Sequence, residues 1–97
     1  SASSIENSPN SVGEAMLLGV PVVSSAVGGV SSMLMHGREG YLYPFDEAYM
    51  LAYYIEEIFR NRDKALEMSE KARLRASDTF DRDKNLKTML GIYGGLH

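Results

Sequence analysis

The stretch from Ser8 to Val23 restricts the fold more than any other part of this chain. Ser8-Pro9-Asn10-Ser11 combines turn and helix-start chemistry. Small polar side chains there accept from early backbone N–H groups, and proline fixes a φ suited to a first helical turn. A helix is expected over about 12–18. Gly19 stands where a left-handed cap closes a helix, and Pro21 forbids continuation. Pro21-Val22-Val23-Ser24 is a short β-branched run with apolar neighbours, the pattern of a strand buried on both faces of a parallel sheet.

The rest of the chain extends this pattern. Ala2 to Ser4 reads as the tail of an earlier strand. Val27-Gly28-Gly29 is a tight loop, followed by a short helix over 31–36 that Gly37 stops. Gly40 to Tyr43 reads as a third short strand, and Asp46 is placed to cap the next helix. In that helix Met50, Leu51, Tyr54, Ile55 and Ile58 recur with helical spacing, with Tyr53 and Tyr54 on a packed face and Glu56-Glu57 on a solvated one. Asn61-Arg62-Asp63 turns into a helix over about 64–77, whose Ala65, Met68, Ala72 and Ala76 form a narrow face of small residues. A last helix over about 83–93 carries Leu86, Met89, Leu90 and Tyr93 on one stripe.

Short strands alternating with helices imply a parallel sheet with right-handed crossovers. The expected class is therefore α/β: a partial Rossmann-like parallel sheet of about three short strands over 1–60, with a helical C-terminal part over 61–97.

Composition narrows the function. A chain of 97 residues supports one small domain and no two-domain cleft. Net charge is −3 and the basic residues are scattered between Arg38 and Lys87, which argues against a nucleic-acid partner. Cysteine is absent and the histidines are only His36 and His97, so a metal site of the usual kind is not expected. His36, at a helix end, is expected to meet the helix dipole or water. The longest apolar run, Ala15 to Val23, is far too short to span a bilayer. Because the chain opens Ser-Ala-Ser-Ser without an initiator Met, Ser1 reads as a processed end or a cut inside a longer protein.

The chemistry concentrates in Glu6 to Glu14, Glu-Asn-Ser-Pro-Asn-Ser-Val-Gly-Glu. A loop between a parallel strand and the following helix lies at the carboxyl end of the sheet, where open α/β sheets bind ligands. The helix start offers unpaired N–H groups and partial positive charge. Asn10, Ser11, Val12 and Gly13 are placed to present those donors to a phosphate, with Gly13 removing bulk from its path. The Ser8, Asn10 and Ser11 side chains add neutral partners for sugar hydroxyls or phosphate oxygens. Glu6 and Glu14 flank the loop, and a carboxylate can accept two hydrogen bonds from a vicinal diol. Ser11-Val12-Gly13-Glu14 equally fits a capping box in which Glu14 reaches back to the Ser11 N–H.

Three further elements follow Glu6-x7-Glu14 in order: Ala15-Met16-Leu17-Leu18-Gly19-Val20-Pro21-Val22-Val23, then Ala26-Val27-Gly28-Gly29, then His36-Gly37-x-x-Gly40-Tyr41-Leu42. Together they resemble the C-terminal half-domain of the retaining GT-B glycosyltransferases of family 4, also called glycosyl transferases group 1. The likeness spans most of residues 2–60, and Phe80 to Tyr93 resembles that family's closing helix. It implies a parent enzyme that transfers a sugar, with retention and without an obligatory metal, from a nucleoside-diphosphate sugar to a saccharide or lipid-linked acceptor. Glu6 would then face the donor sugar as the catalytic carboxylate and Glu14 would hold the ribose hydroxyls. The amides of Asn10 to Gly13 would line the diphosphate. Ser31-Ser32 stand where the family usually has a Pro-Glu pair, so no contact is assigned there.

The family's basic diphosphate clamp and acceptor-binding domain would precede Ser1, so the 97 residues alone are expected to be inactive. The expected partners are the donor, the acceptor and that N-terminal domain. The expected location is the cytoplasm or the cytoplasmic face of a membrane, in polysaccharide or glycolipid assembly. A free-standing, non-catalytic module that binds nucleotide or protein is the alternative, and self-association through an open strand edge is a further expectation.

Overall fold

The computed structural model describes residues 3–91. Its elements are β1 (Ser4–Glu6), α1 (Pro9–Leu18), β2 (Val22–Ser25), a 3-10 turn (Val30–Ser32), β3 (Tyr41–Tyr43), α2 (Tyr49–Arg60) and α3 (Arg62–Met89). The three strands form one sheet in the order β1-β2-β3. Both pairings are parallel, Ile5 opposite Val23 and Ser24 opposite Leu42. The α/β class and the number of short strands are as the sequence implies, but β1 runs over Ser4–Glu6 and not 2–4, so Glu6 belongs to the strand end and not to the loop. Ala2, Tyr93 and His97 lie outside the described residues.

Alternation along β2 explains how so short a sheet holds together. Val22 faces a cluster with Val12, Ala15, Met16, Val30, Leu34 and Ala72, while Val23 faces Tyr41, Tyr43, Ile58, Ala65 and Met68. Successive side chains of a strand point to opposite faces, so two adjacent valines serve two cores. α3 joins both, giving Ala65 and Met68 to one and Ala72 to the other. The small-residue face read from the sequence is therefore the contact face of that helix.

Four further boundaries differ from the sequence reading. α1 begins at Pro9, a turn before Val12, because Ser8 in extended conformation (φ −141°, ψ 152°) is its N-cap. Asp46 caps nothing: α2 starts after Ala48 with no side-chain cap, since backbone bonds from Glu47 N to Pro44 O (2.9 Å) and Met50 N to Glu47 O (2.9 Å) carry the chain into it. The helix expected over 31–36 is only the 3-10 turn Val30–Ser32, because the Met35 N–H goes to the Glu39 carboxylate (2.6 Å). Finally, the two last helices are one helix of 28 residues. No glycine or proline interrupts 77–83, and Asp78–Arg82 (3.0 Å) pairs at i,i+4 within the expected break, followed by Asp83–Lys87 (3.2 Å) just beyond it. Phe80, Leu86, Met89 and Leu90 on this extension are exposed.

The helix stop at Gly19 is as expected: φ is +74°, its N–H donates to Met16 O (3.0 Å), and the Val20 N–H donates to Ala15 O (3.3 Å). Gly40 matters for a different reason. A Cβ there would sit 3.0 Å from the Val22 carbonyl oxygen and 3.5 Å from both Leu34 methyls. A main-chain atom in a paired strand gives way poorly, so Gly40→Ala is expected to cost about 1–3 kcal/mol of stability, read as a lowered urea midpoint. An unchanged midpoint would show that β2 and β3 can separate freely at this point.

His36 is likewise not at a helix end. Its Nδ1 accepts from the Leu42 N–H (2.9 Å) and its ring packs edge-on against Tyr41 and Tyr54, which stack on each other at 4.8 Å. Burial, then the neighbouring Tyr53 and Tyr41, raise the Tyr54 phenol above its ordinary value. A raised phenol contributes stability below the unfolded value, and that contribution is lost as pH climbs through the folded one.

Candidate functional site

The site grows from the way β1 hands over to α1. Glu6 is the last residue of β1, opposite Ser24 of the central strand, so its side chain emerges at the carboxyl end of the sheet. Two residues later Ser8 turns the chain. Its Oγ accepts from the Ser11 N–H (3.3 Å) and donates to Ser11 Oγ (2.9 Å). Ser11 is thus already inside the helix, and the capping box Ser11-to-Glu14 is not the cap that forms. Glu14, one turn further, is exposed and its carboxylate has no hydrogen-bond partner among the described residues.

An open groove of about 300 Å³ lies between strand end and helix. Its polar wall is Ser4, Glu6, Ser11 and Glu14, and Ala15, Leu18 and Val20 form the apolar side. The two glutamates, eight positions apart in sequence, therefore share one depression. The Ser4 hydroxyl donates to Glu6 Oε2. Ser4 was not apparent from sequence, although its i,i+2 relation to Glu6 on a strand puts both on one face.

The other candidates are distributed differently. Ser8 is committed to capping. The Val12 side chain is fully buried in the core and its N–H donates to Ser8 O (3.0 Å), so that amide belongs to the helix ladder. Asn10 is exposed at the second helical position, and its amide has no partner among the described residues. Gly13 faces Met33, whose Cε would lie 3.3 Å from an added Cβ; its missing side chain serves the packing of α1. Gly28, at φ +55°, brings the following loop beside Pro9 at the helix start.

A third carboxylate, away from this groove, is not apparent from sequence. Glu39 is 5% exposed, accepts from Met35 N–H (2.6 Å) and Arg75 (2.8 Å), and lies 3.4 Å from Arg38 Nε. Arg75 also donates to Ser32 O (3.1 Å), so this cluster ties the loop after the 3-10 turn to α3, with Ser32 and Arg75 on the wall of a second open groove, of about 510 Å³, between α1 and α3. Among the described residues no group of three or more His, Asp or Glu is arranged to hold a metal ion, and no helix is long and apolar enough to cross a membrane.

Similarity to known proteins bears on this geometry. No curated sequence gave a significant match. Among solved structures, the chain is similar to HepE of Anabaena in complex with UDP (TM-score 0.75, 26% identity, covering 94% of this chain and 26% of that one). The complex of the same protein with UDP-glucose gives TM-score 0.75 and 26% identity over 93% of this chain and 26% of that one. Sucrose-phosphate synthase of Thermosynechococcus elongatus shares the fold (TM-score 0.66, 24% identity, 86% of this chain and 23% of that one). The chain spans about a quarter of the length of these relatives. The family model for glycosyl transferases group 1 matches residues 1–75, which hold both glutamates, the Gly19-Val20-Pro21 stop and the Gly28-Gly29 loop. On that match over most of its length, the chain belongs to the glycosyl transferases group 1 family.

Proposed function

We propose that this chain is the C-terminal part of the nucleotide-sugar-binding domain of a GT-B glycosyltransferase. The whole enzyme moves a sugar, with retention, from a nucleoside-diphosphate donor to a saccharide or lipid-linked acceptor. The observation that carries this reading is the groove holding Glu6 and Glu14 together at the carboxyl end of β1. The structural similarity to HepE in complex with UDP-glucose supports a uridine donor. In this reading Glu14, both of whose oxygens are unpartnered among the described residues, grips the ribose diol. Glu6 presents a carboxylate oxygen to the donor sugar, where positive charge develops as the glycosidic bond loosens. The Asn10 amide at the start of α1 faces the diphosphate. Counter-charge for the departing diphosphate has to come from outside these residues, so the isolated chain binds nucleotide weakly and does not turn over.

The test uses the intact parent protein with UDP-glucose as donor. Glu14→Ala is expected to weaken donor binding about 10- to 100-fold, the loss of a charge-assisted hydrogen bond. Glu6→Ala is expected to lower kcat about 100- to 1,000-fold with a smaller change in KM, as for loss of an electrostatic group acting at the transition state. Full transferase activity in both variants would overturn the assignment of the site.

A further inference from the structure

Ser4 holds a place in this site that the motif does not predict. It precedes Glu6 by two residues on β1, so the two side chains leave the same face of the strand while Ile5 points away. The backbone of Ser4 is itself fixed, its N–H donating to Pro21 O (2.8 Å) and its Cα lying opposite Val22. From that anchored position its hydroxyl donates to Glu6 Oε2, and both side chains line the groove. Glu6 Oε1 has no partner among the described residues.

We infer that Ser4 is the positioning residue for the Glu6 carboxylate: it ties one oxygen back to the strand so that only the other is offered to the donor sugar. This rests on the reading of Glu6 given above and goes beyond it. A glutamate at a strand end has three rotatable side-chain bonds, and an oxygen swung by an ångström loses most of its effect on a reacting centre. One hydroxyl bond removes that freedom. It also separates the tasks of the two glutamates. Glu14 keeps both oxygens for a bidentate grip on a diol, whereas Glu6 can address a single atom.

Two variants test the inference, Ser4→Ala and Ser4→Thr, with Glu6→Ala as reference. Neither substitution touches the Ser4 backbone bond to Pro21, and threonine keeps the hydroxyl on a residue that suits a strand. In the 97-residue chain, the carboxyl-carbon resonance of Glu6 is expected to move in Ser4→Ala and to return in Ser4→Thr. In the intact parent with UDP-glucose, Ser4→Ala is expected to lower kcat about 10- to 100-fold with KM within about twofold, and Ser4→Thr to restore most of it. A resonance that stays put, or an Ser4→Ala enzyme as fast as wild type while Glu6→Ala is inactive, overturns the role of Ser4 and leaves that of Glu6 intact. Equal losses in the alanine and threonine variants would mark Ser4 as a strand-packing residue and overturn the inference too. Full turnover in Glu6→Ala removes the reading on which it rests.

Discussion

Glu39→Ala should lower the stability of this chain by about 2–3 kcal/mol, and on a domain of this size that corresponds to a melting point roughly 10–20 °C lower. The carboxylate is 5% exposed and serves two donors at once, Met35 N–H at 2.6 Å and Arg75 at 2.8 Å. Its removal takes the acceptor from the Met35 N–H and deprives a guanidinium of its counter-charge. Breaking a fully buried ion pair costs about 3–5 kcal/mol. Here the Arg75 side chain is 38% exposed and can recover water, which is why a smaller figure is expected. Glu39→Gln separates the two contributions, because an amide oxygen still accepts from Met35 while the charge is gone. About half the loss should return, measured by thermal melts at matched pH and salt. A Glu39→Ala protein as stable as wild type would mean that water replaces the carboxylate in full.

Leu34→Ala is expected to cost about 3–4 kcal/mol, the cavity left by a leucine that the core cannot collapse onto. Leu34 has no exposed surface and sits among Val12, Met16, Val22, Val30 and Ala72. It comes from the loop after the 3-10 turn and is the large side chain that this loop inserts beneath α1. Urea unfolding with an unchanged slope would confirm a loss of stability without a change in compactness. Leu34 and Glu39 lie in one short loop, Glu39 holding the N–H of Met35 next to Leu34, so the double variant should not show the sum of the single effects. A strictly additive result would mean that the loop is held by two independent attachments.

The contrast between these residues and α1 shows what a sequence exposes. The stop of α1 was legible because Gly19, Val20 and Pro21 act on their own backbone, with every partner within five residues. Its start was misplaced because Ser8 and Ser11 are equally good caps by type, and Pro9 in the first turn decides for Ser8. Nothing in the sequence singles out Glu39, since its partner Arg75 is 36 positions away. The continuity of α3 was hidden by short polar residues at 77–79 that also favour turns, and i,i+4 ion pairs settle such a case only once the helix exists. In the site, the glutamate spacing pointed to one loop because a strand end and the next helical turn are close by construction. Ser4 stayed out of view because a hydroxyl in a strand has many commoner uses.

The length of α3 has a consequence for how the molecule breathes. Its first half is clamped, with Ala65, Met68 and Ala72 in the two cores, while beyond Ser77 every side chain of the helix is exposed. Opening the distal turns removes hydrogen bonds and little else, whereas opening the proximal turns means dismantling the domain. Amide deuterium uptake along this one helix should therefore fall into two regimes, minutes or less beyond Ser77 and the global unfolding time before it. A continuous helix would then behave as two thermodynamic objects, one that reports the integrity of the core and one that is free to acquire its order from whatever it meets.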